Sequence, residues 1–343
     1  MKYLKYLLLA SAMLFPPSLQ MAWAETGISI VKFSAGHQDR DIEAGIFFPG
    51  EGGTAFELGE NGVFYGARVY ENAKPLSGKY PVVLMSHGWG GNFRRMAWLS
   101  QALAEKGAIV VAVNHPNSMT GDLDNLNALN HWTRAQDLSA ALDFVLQNPE
   151  LGPHIDTARV YATGFSYGGW TALSLGGLKG RRYGLDRFCS DSTQANSHCA
   201  DILKAGIRIS DIDAGKWQAS YKDPRISAVA AIDPALTWGL DTSDAANLNV
   251  PVLLIGLGNG ESRLHATDTS ETGSNFEALF PAGKVDRIVP ATHFTALGLC
   301  KPEGAAILED EKDDPVCTDP AGTDRKTVMN HIIDLLGKHF GLN

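Results

Sequence analysis

Basic side chains are in short supply in this 343-residue chain: 29 Lys and Arg stand against 38 Asp and Glu, a formal charge of −9. An acidic surface argues against nucleic acid and against anionic membranes as partners, because both select positive patches. Apolar runs are scarce too. Beyond the first 24 residues nothing approaches the roughly 20 residues that a bilayer-crossing helix needs, so no stable membrane insertion is expected. There is no C-x-x-C, which removes the common zinc and thiol-redox spacings. No internal repeat and no interdomain linker is found. No motif asks for a metal or a cofactor.

What is present begins with a leader. Lys2 and Lys5 precede a short apolar core, LLLASAMLF, and Ala22-Trp23-Ala24 sets small residues at the two positions a signal peptidase reads. Residues 1–24 therefore read as a secretory signal cleaved near Ala24, with export to the periplasm or beyond. Without Lys2 and Lys5 the balance is 27 basic against 38 acidic residues, a net charge of −11. The four cysteines, Cys189, Cys199, Cys300 and Cys317, all lie in the mature part. An even count in an exported chain predicts disulfides. Three pairings are possible. The local one, Cys189–Cys199 with Cys300–Cys317, is favoured because each pair brackets one polar segment.

Residues 25–343 read as one α/β domain. Strands are expected over 28–33, 42–48 and 82–85, in "AIVVAVNHP", and over 159–166, 226–233, 250–258 and 285–290. Helices are expected over 94–106, 133–146, 168–177 and 325–340, from apolar positions at helical spacing. Such alternation implies a mostly parallel central sheet with helices on both faces. The stretch "GEGGTAFELGENG" reads as a glycine-rich connection. Residues 178–224 are polar, hold Cys189 and Cys199, and read as a cap-like insertion over the strand ends. A smaller excursion, 301–324, holds Cys317 and the run "EDEKDDP", read as a solvated acidic loop.

The chemistry centres on "GFSYGG", Gly164 to Gly169. A strand leads into Ser166 and a helix leaves it. Gly164 and Gly168 permit the sharp turn that lifts a serine above a sheet. A serine hydroxyl needs a neighbouring base to become a nucleophile. His293, in "PATHFTAL" just after the last strand, is the candidate base. Two acids compete. Asp233 ends the strand after the serine, whereas Glu261 lies in the turn after "VPVLLIGLG". An oxyanion hole needs backbone N–H donors, expected at Tyr167, next to the nucleophile, and at Trp89 in the glycine-rich "SHGWGG". His87 reads as structural, and His115 as a shaper of the site.

Five stretches, "YPVVLMSHGWGG", "GAIVVAVNHP", "GFSYGG", "AIDPALTW" and "THFTALGLC", run in this order from Tyr80 to Cys300. Together they resemble α/β-hydrolases of the predicted dienelactone hydrolase group and are similar to platelet-activating factor acetylhydrolases. The resemblance implies an α/β-hydrolase fold, the acid at Asp233 and oxyanion donors at Trp89 and Tyr167. True dienelactone hydrolases carry a cysteine nucleophile; the serine here points away from dienelactone as substrate. The expected activity is hydrolysis of small-molecule carboxylic esters through an acyl-enzyme. A lactonase, thioesterase or polyester hydrolase would use the same residues, and a non-catalytic binding protein on this fold is the alternative of another class. The oligomeric state is left open.

Overall fold

A computed structural model describes residues 25–191 and 197–342. The expected leader, residues 1–24, and the inner part of the expected insertion, residues 192–196, lie outside the described residues. In chain order the first strands are β1 (Glu25–Phe33), β2 (Ile42–Glu51), β3 (Thr54–Leu58), β4 (Ala67–Glu71), the two-residue β5 (Lys74–Pro75) and β6 (Tyr80–Ser86). After α1 (Ala97–Glu105) come β7 (Ile109–Val113), a small hairpin of β8 (Ser118–Met119) and β9 (Asp122–Leu123), α2 (Asn125–Ala128) and α3 (His131–Gln147). Then follow β10 (Ile155–Phe165) and α4 (Tyr167–Gly176). Three helices, α5 (Arg182–Asp191), α6 (Ser197–Lys204) and α7 (Ala214–Gln218), precede β11 (Ala228–Ile232). The chain closes with α8 (Thr242–Ala245), β12 (Val252–Leu257), β13 (Lys284–Ile288), α9 (Gly304–Glu311) and α10 (Arg325–Phe340).

One eleven-stranded sheet runs in the order β13-β12-β11-β10-β6-β7-β2-β1-β4-β3, with β5 on β2. The six strands from β13 to β7 are mutually parallel. β2 joins β7 antiparallel and β1 joins β2 antiparallel. The parallel strands are apolar at nearly every position because both faces are covered. Side chains alternate across a strand, and the alternation divides the core in two. Val82 and Leu84 join Leu138 of α3 and Trp170 of α4 on one side. Val83 and Met85 join Leu103 of α1 and Ile332 of α10 on the other.

The sequence-predicted elements are found within a few residues of their expected limits, with two instructive differences. The glycine-rich stretch contains β3: Gly52 and Gly53 turn the chain at φ 70° and 93°, and TAFEL then pairs antiparallel with β4 at the sheet edge. The expected helix over 94–106 opens as a 3₁₀ turn, Phe93–Met96, before α1 begins.

Within the expected cap-like insertion, the described residues form the short helices α5, α6 and α7 with an apolar core of their own, in which Leu185, Ile202, Ile209 and Trp217 pack on Leu129 and Trp132. Cys189 and Cys199 are bonded between α5 and α6, and Cys300 is bonded to Cys317. The second bridge holds the polar excursion against the body, where Leu308 and Val316 pack with Val63 and Phe64. The run EDEKDDP is exposed throughout, its first residues completing α9. Among the described residues no helix is long and apolar enough to cross a membrane.

Candidate active site

The strand ends that face the cap carry the candidate residues. After β6 comes the loop His87–Gly91, after β7 His115, after β10 Ser166, after β11 Asp233, and after β13 His293. The carboxyl ends of parallel strands are where open α/β sheets place ligands.

Ser166 stands between β10 and α4 at φ 56°, ψ −118°. A side chain there is strained by roughly 1–3 kcal/mol, so the surroundings must hold it. They do so through its backbone: its N–H donates to the Ile232 carbonyl at 2.8 Å, and its carbonyl accepts from Trp170 and Ala235 N–H, both at 3.2 Å. The turn has no room for a Cβ on either side. One on Gly168 would lie 1.9 Å from the Ser86 carbonyl oxygen, and one on Gly164 would lie 2.4 Å from that of Gly168. Ser166 is buried to 2% exposure at the floor of an open cleft of about 1,300 Å³ that His293 also lines.

His293 Nδ1 lies 2.6 Å from Asp233 Oδ2. The carboxylate accepts, so this nitrogen carries the proton and Nε2 is left for the cleft. Phe165, the residue before the serine, has its ring 4.5 Å from the imidazole. Asp233, fully buried, is held as tightly as Ser166. Its N–H donates to the Ile255 carbonyl. Leu257 N–H donates to Oδ1 at 2.9 Å and the Thr267 hydroxyl to Oδ2 at 2.7 Å. Arg263 Nη2 lies 3.9 Å from Oδ1. Of the two competing acids, therefore, Asp233 is brought to His293. Glu261 is exposed, on a short turn after β12.

Tyr167 is the first residue of α4, so its N–H is one of the unpaired donors of a helix start. Trp89 faces it, the two rings 5.6 Å apart. Behind them lies a network that sequence reasoning largely missed. Arg134 of α3, 1% exposed, donates to the His87 carbonyl, to Ser86 Oγ at 3.1 Å, to Ser118 Oγ at 2.6 Å and to Thr171 Oγ1 at 3.1 Å. Its guanidinium lies 4.5 Å above the Tyr167 ring. Burial lowers it to about 10, so it stays charged at neutral pH. Asp137, one turn on, accepts from His115 Nδ1 at 2.8 Å and from His37 and Gln38. Burial pushes its carboxyl up, but these bonds outweigh burial and hold it below the usual range.

Ser86, His115 and Asp137 thus form a bonded serine-histidine-carboxylate chain, with Ser86 Oγ 2.8 Å from His115 Nε2. All three are sealed from solvent at 0% exposure. Burial and the neighbouring Arg134 charge push His115 down to about 4, leaving it neutral. This chain cannot meet a substrate; it braces the loop after β6. The expected structural part for His87 is seen as well, its Nδ1–H donating to the Gly88 carbonyl and its Nε2 accepting from His115 N–H. A signal for the network was present in the sequence. Arg134 and Asp137 fall at helical spacing from Leu138 and Ala141, on the apolar stripe of α3.

Nearly the whole chain superposes on a solved structure. A ferulic acid esterase from Streptomyces cinnamoneus matches with a TM-score of 0.58 at 16% identity, covering 94% of this chain and 92% of that one. This chain has the α/β-hydrolase fold. A dienelactone hydrolase from Anabaena variabilis is also similar, with a TM-score of 0.46 at 16% identity over 84% of this chain and 95% of the other. In sequence, the cutinase Est1 of Thermobifida alba is 30% identical over 123 residues, 35% of this chain. The match spans 38% of that cutinase's length. No family model matches the chain. Among the described residues, no group of three or more His, Cys, Asp and Glu side chains is set to hold a metal ion.

Proposed function

We propose that the protein is a serine hydrolase of carboxylic esters, with Ser166 as nucleophile, His293 as base and Asp233 as the group that orients it. The observation that carries this reading is the 2.6 Å bond from His293 Nδ1 to Asp233 Oδ2 beside a serine on a strained strand-to-helix turn. The partial likeness to a cutinase supports an ester as substrate.

The steps follow from the groups. His293 Nε2 takes the Ser166 proton as Oγ attacks the ester carbonyl. Asp233 holds the imidazole in the required tautomer and stabilises its charged form. The oxyanion is bound by the Trp89 and Tyr167 N–H groups. His293 then gives the proton to the alcohol oxygen as the bond to the acyl carbon breaks. Water, activated by the same nitrogen, releases the acid and restores the serine. Lactones, thioesters and polyesters fit the same steps. Export of the mature chain, from Glu25 on, into an oxidising compartment is part of the proposal and is supported by the two disulfides.

Ser166→Ala should lower kcat on a simple ester by about 10⁴ to 10⁶ with the fold intact. A fluorophosphonate should label the wild type at Ser166 and leave the variant unlabelled. Labelling elsewhere, or a folded variant with more than about a tenth of the activity, overturns the assignment of Ser166, whereas a folded wild type that is not labelled at all favours a binding protein on a hydrolase fold.

A further inference from the structure

Two spaces meet at Trp89. One is the open cleft that holds Ser166 and His293. The other is a narrow, largely apolar recess between the helices α5–α7 and the body. Leu185, Phe188, Ile202 and the Cys189–Cys199 bridge line it from the cap, and Leu236 and Trp238 from the body. Trp89 belongs to both linings.

The recess lies beside Ser166, which itself lines the cleft. Tyr167, next to Ser166 in the chain, forms part of its wall. So does Ala235, whose N–H donates to the Ser166 carbonyl at 3.2 Å. None of its lining residues carries a charge. Of the three polar handles in the wall, those of Trp89, Tyr167 and Trp238, two are turned to carbonyls: the Tyr167 hydroxyl donates to Ala128 at 2.7 Å and Trp238 Nε1 to His265 at 3.2 Å. An occupant would meet a hydrocarbon surface there.

The proton path fixes which half of a substrate goes where. In the tetrahedral intermediate the oxyanion points to the Trp89 and Tyr167 N–H groups. The leaving oxygen must lie within reach of His293 Nε2, which returns the serine's proton to it. His293 lines the cleft and not the recess. The alcohol half therefore occupies the cleft, and the acyl substituent is directed past Trp89 towards the cap.

We infer that the recess under the cap is the acyl subsite and that it selects esters with an uncharged, unbranched hydrocarbon acyl group longer than acetyl. The inference rests on the ester-hydrolase reading of Ser166. Burying each added methylene of the acyl chain should raise kcat/KM roughly three- to fourfold until the recess is full. A carboxylate at the chain end should be rejected, since it would be buried without a partner.

The test is a series of 4-nitrophenyl esters with acetyl, butyryl, hexanoyl and decanoyl groups, together with the adipic acid monoester. A matched series of acetates with lengthening alcohols completes it. The expected result is a rise from acetyl to hexanoyl and a loss of at least about 100-fold for the adipate against the hexanoate. Ile202→Phe should flatten the acyl rise while keeping acetyl hydrolysis, which also reports that the variant is folded. It should leave the alcohol series unchanged. Phe188→Ala, which enlarges the recess instead of filling it, should move the optimum to longer acyl chains and decides the matter if Ile202→Phe does not fold. A flat acyl profile, or an effect of either variant on alcohol length, overturns the acyl assignment with the hydrolase reading intact. A folded wild type that cleaves no ester of either series overturns both.

Discussion

Ser166 and Asp233 both sit at positive φ, 56° and 46°, on residues that are not glycine. Each is pinned by backbone bonds from a neighbouring strand end, Ser166 through Ile232 and Asp233 through Ile255. Strain held in this way fixes a side chain where a relaxed turn would let it wander. Ser166, the proposed nucleophile, could be singled out in the sequence because its glycines sit where a Cβ would collide with backbone. His293, the proposed base, was singled out by its place after the last strand, and it lies against Asp233. The acid was an open choice between two strand ends, since a spacing along the chain says nothing about which end points to the imidazole. Thr267 and Arg263 were not legible at all: they reach Asp233 from a loop whose path no local pattern encodes. Asp233→Asn should lower kcat by about 10³ to 10⁴, because the amide favours the wrong imidazole tautomer. Glu261→Gln, at an exposed site, should cost less than about tenfold. Steady-state kinetics on both, compared at equal foldedness by thermal melting, checks this. A severe Glu261→Gln with a mild Asp233→Asn would return the acid to the later strand.

Among the elements, α3 carries more of the site than its amphipathic pattern suggests. Its apolar stripe, Ala135, Leu138, Ala141, Leu142 and Val145, packs on the sheet as the periodicity predicts. Arg134 and Asp137 share the buried side and replace hydrocarbon with a bonded ionic network. Periodicity reads burial, and a charged residue on a buried stripe looks like noise until its partners are known. Those partners, Ser86 and His87, come from β6 and the loop beyond it. The helices α5–α7 were illegible for a related reason: their apolar residues form a separate small core with Leu129 and Trp132 and have no long stripe of their own. By contrast α10 carried its limits openly, with Asp324 accepting from Lys326 N–H at its start and Gly341 turning at φ 62° at its end. Arg134 is a positioning residue: it touches the His87 carbonyl and the Tyr167 ring, one on each side of the proposed oxyanion hole. Displacing such donors by an ångström or so costs about 100-fold. Arg134→Met should therefore lower kcat by about 10- to 100-fold with KM nearly unchanged. It should weaken a boronic acid, which mimics the tetrahedral intermediate, more than a ground-state ketone analogue. Arg134→Lys should recover only part of the loss, since one ammonium cannot replace a fork of donors. Equal weakening of both inhibitors would leave Arg134 a structural residue only.

The whole molecule keeps several histidines buried and neutral, and this sets its response to acid. Burial, the Arg134 charge and His115 hold His87 well below the usual range. His115 is pushed down to about 4. Burial pushes His131 down to about 4 as well, against the favourable bond its Nε2–H makes to the Trp217 carbonyl at 2.9 Å. His131 joins α3 to the cap through that bond, ringed by the aromatic edges of Trp132, Trp170 and Trp217. In the unfolded chain each histidine titrates near 6.5. A depressed folded value means that the unfolded state binds more protons between the two values, so stability falls as pH drops from about 6.5 towards 4. The depressed carboxyls Asp137, Asp223 and Asp268 act in the same direction but lower, below their ordinary 3.8. The two windows can therefore be told apart. Each buried histidine contributes a slope of up to about 1.4 kcal/mol per pH unit inside its window. Urea unfolding followed at half-unit steps should show stability level above pH 7 and falling steeply between 6 and 4.5. His131→Gln should reduce that slope by about one proton's worth. Stability that stays flat down to pH 4.5, or a His131→Gln variant that keeps the full wild-type slope, would mean that His131 is not the neutral tie between α3 and the cap.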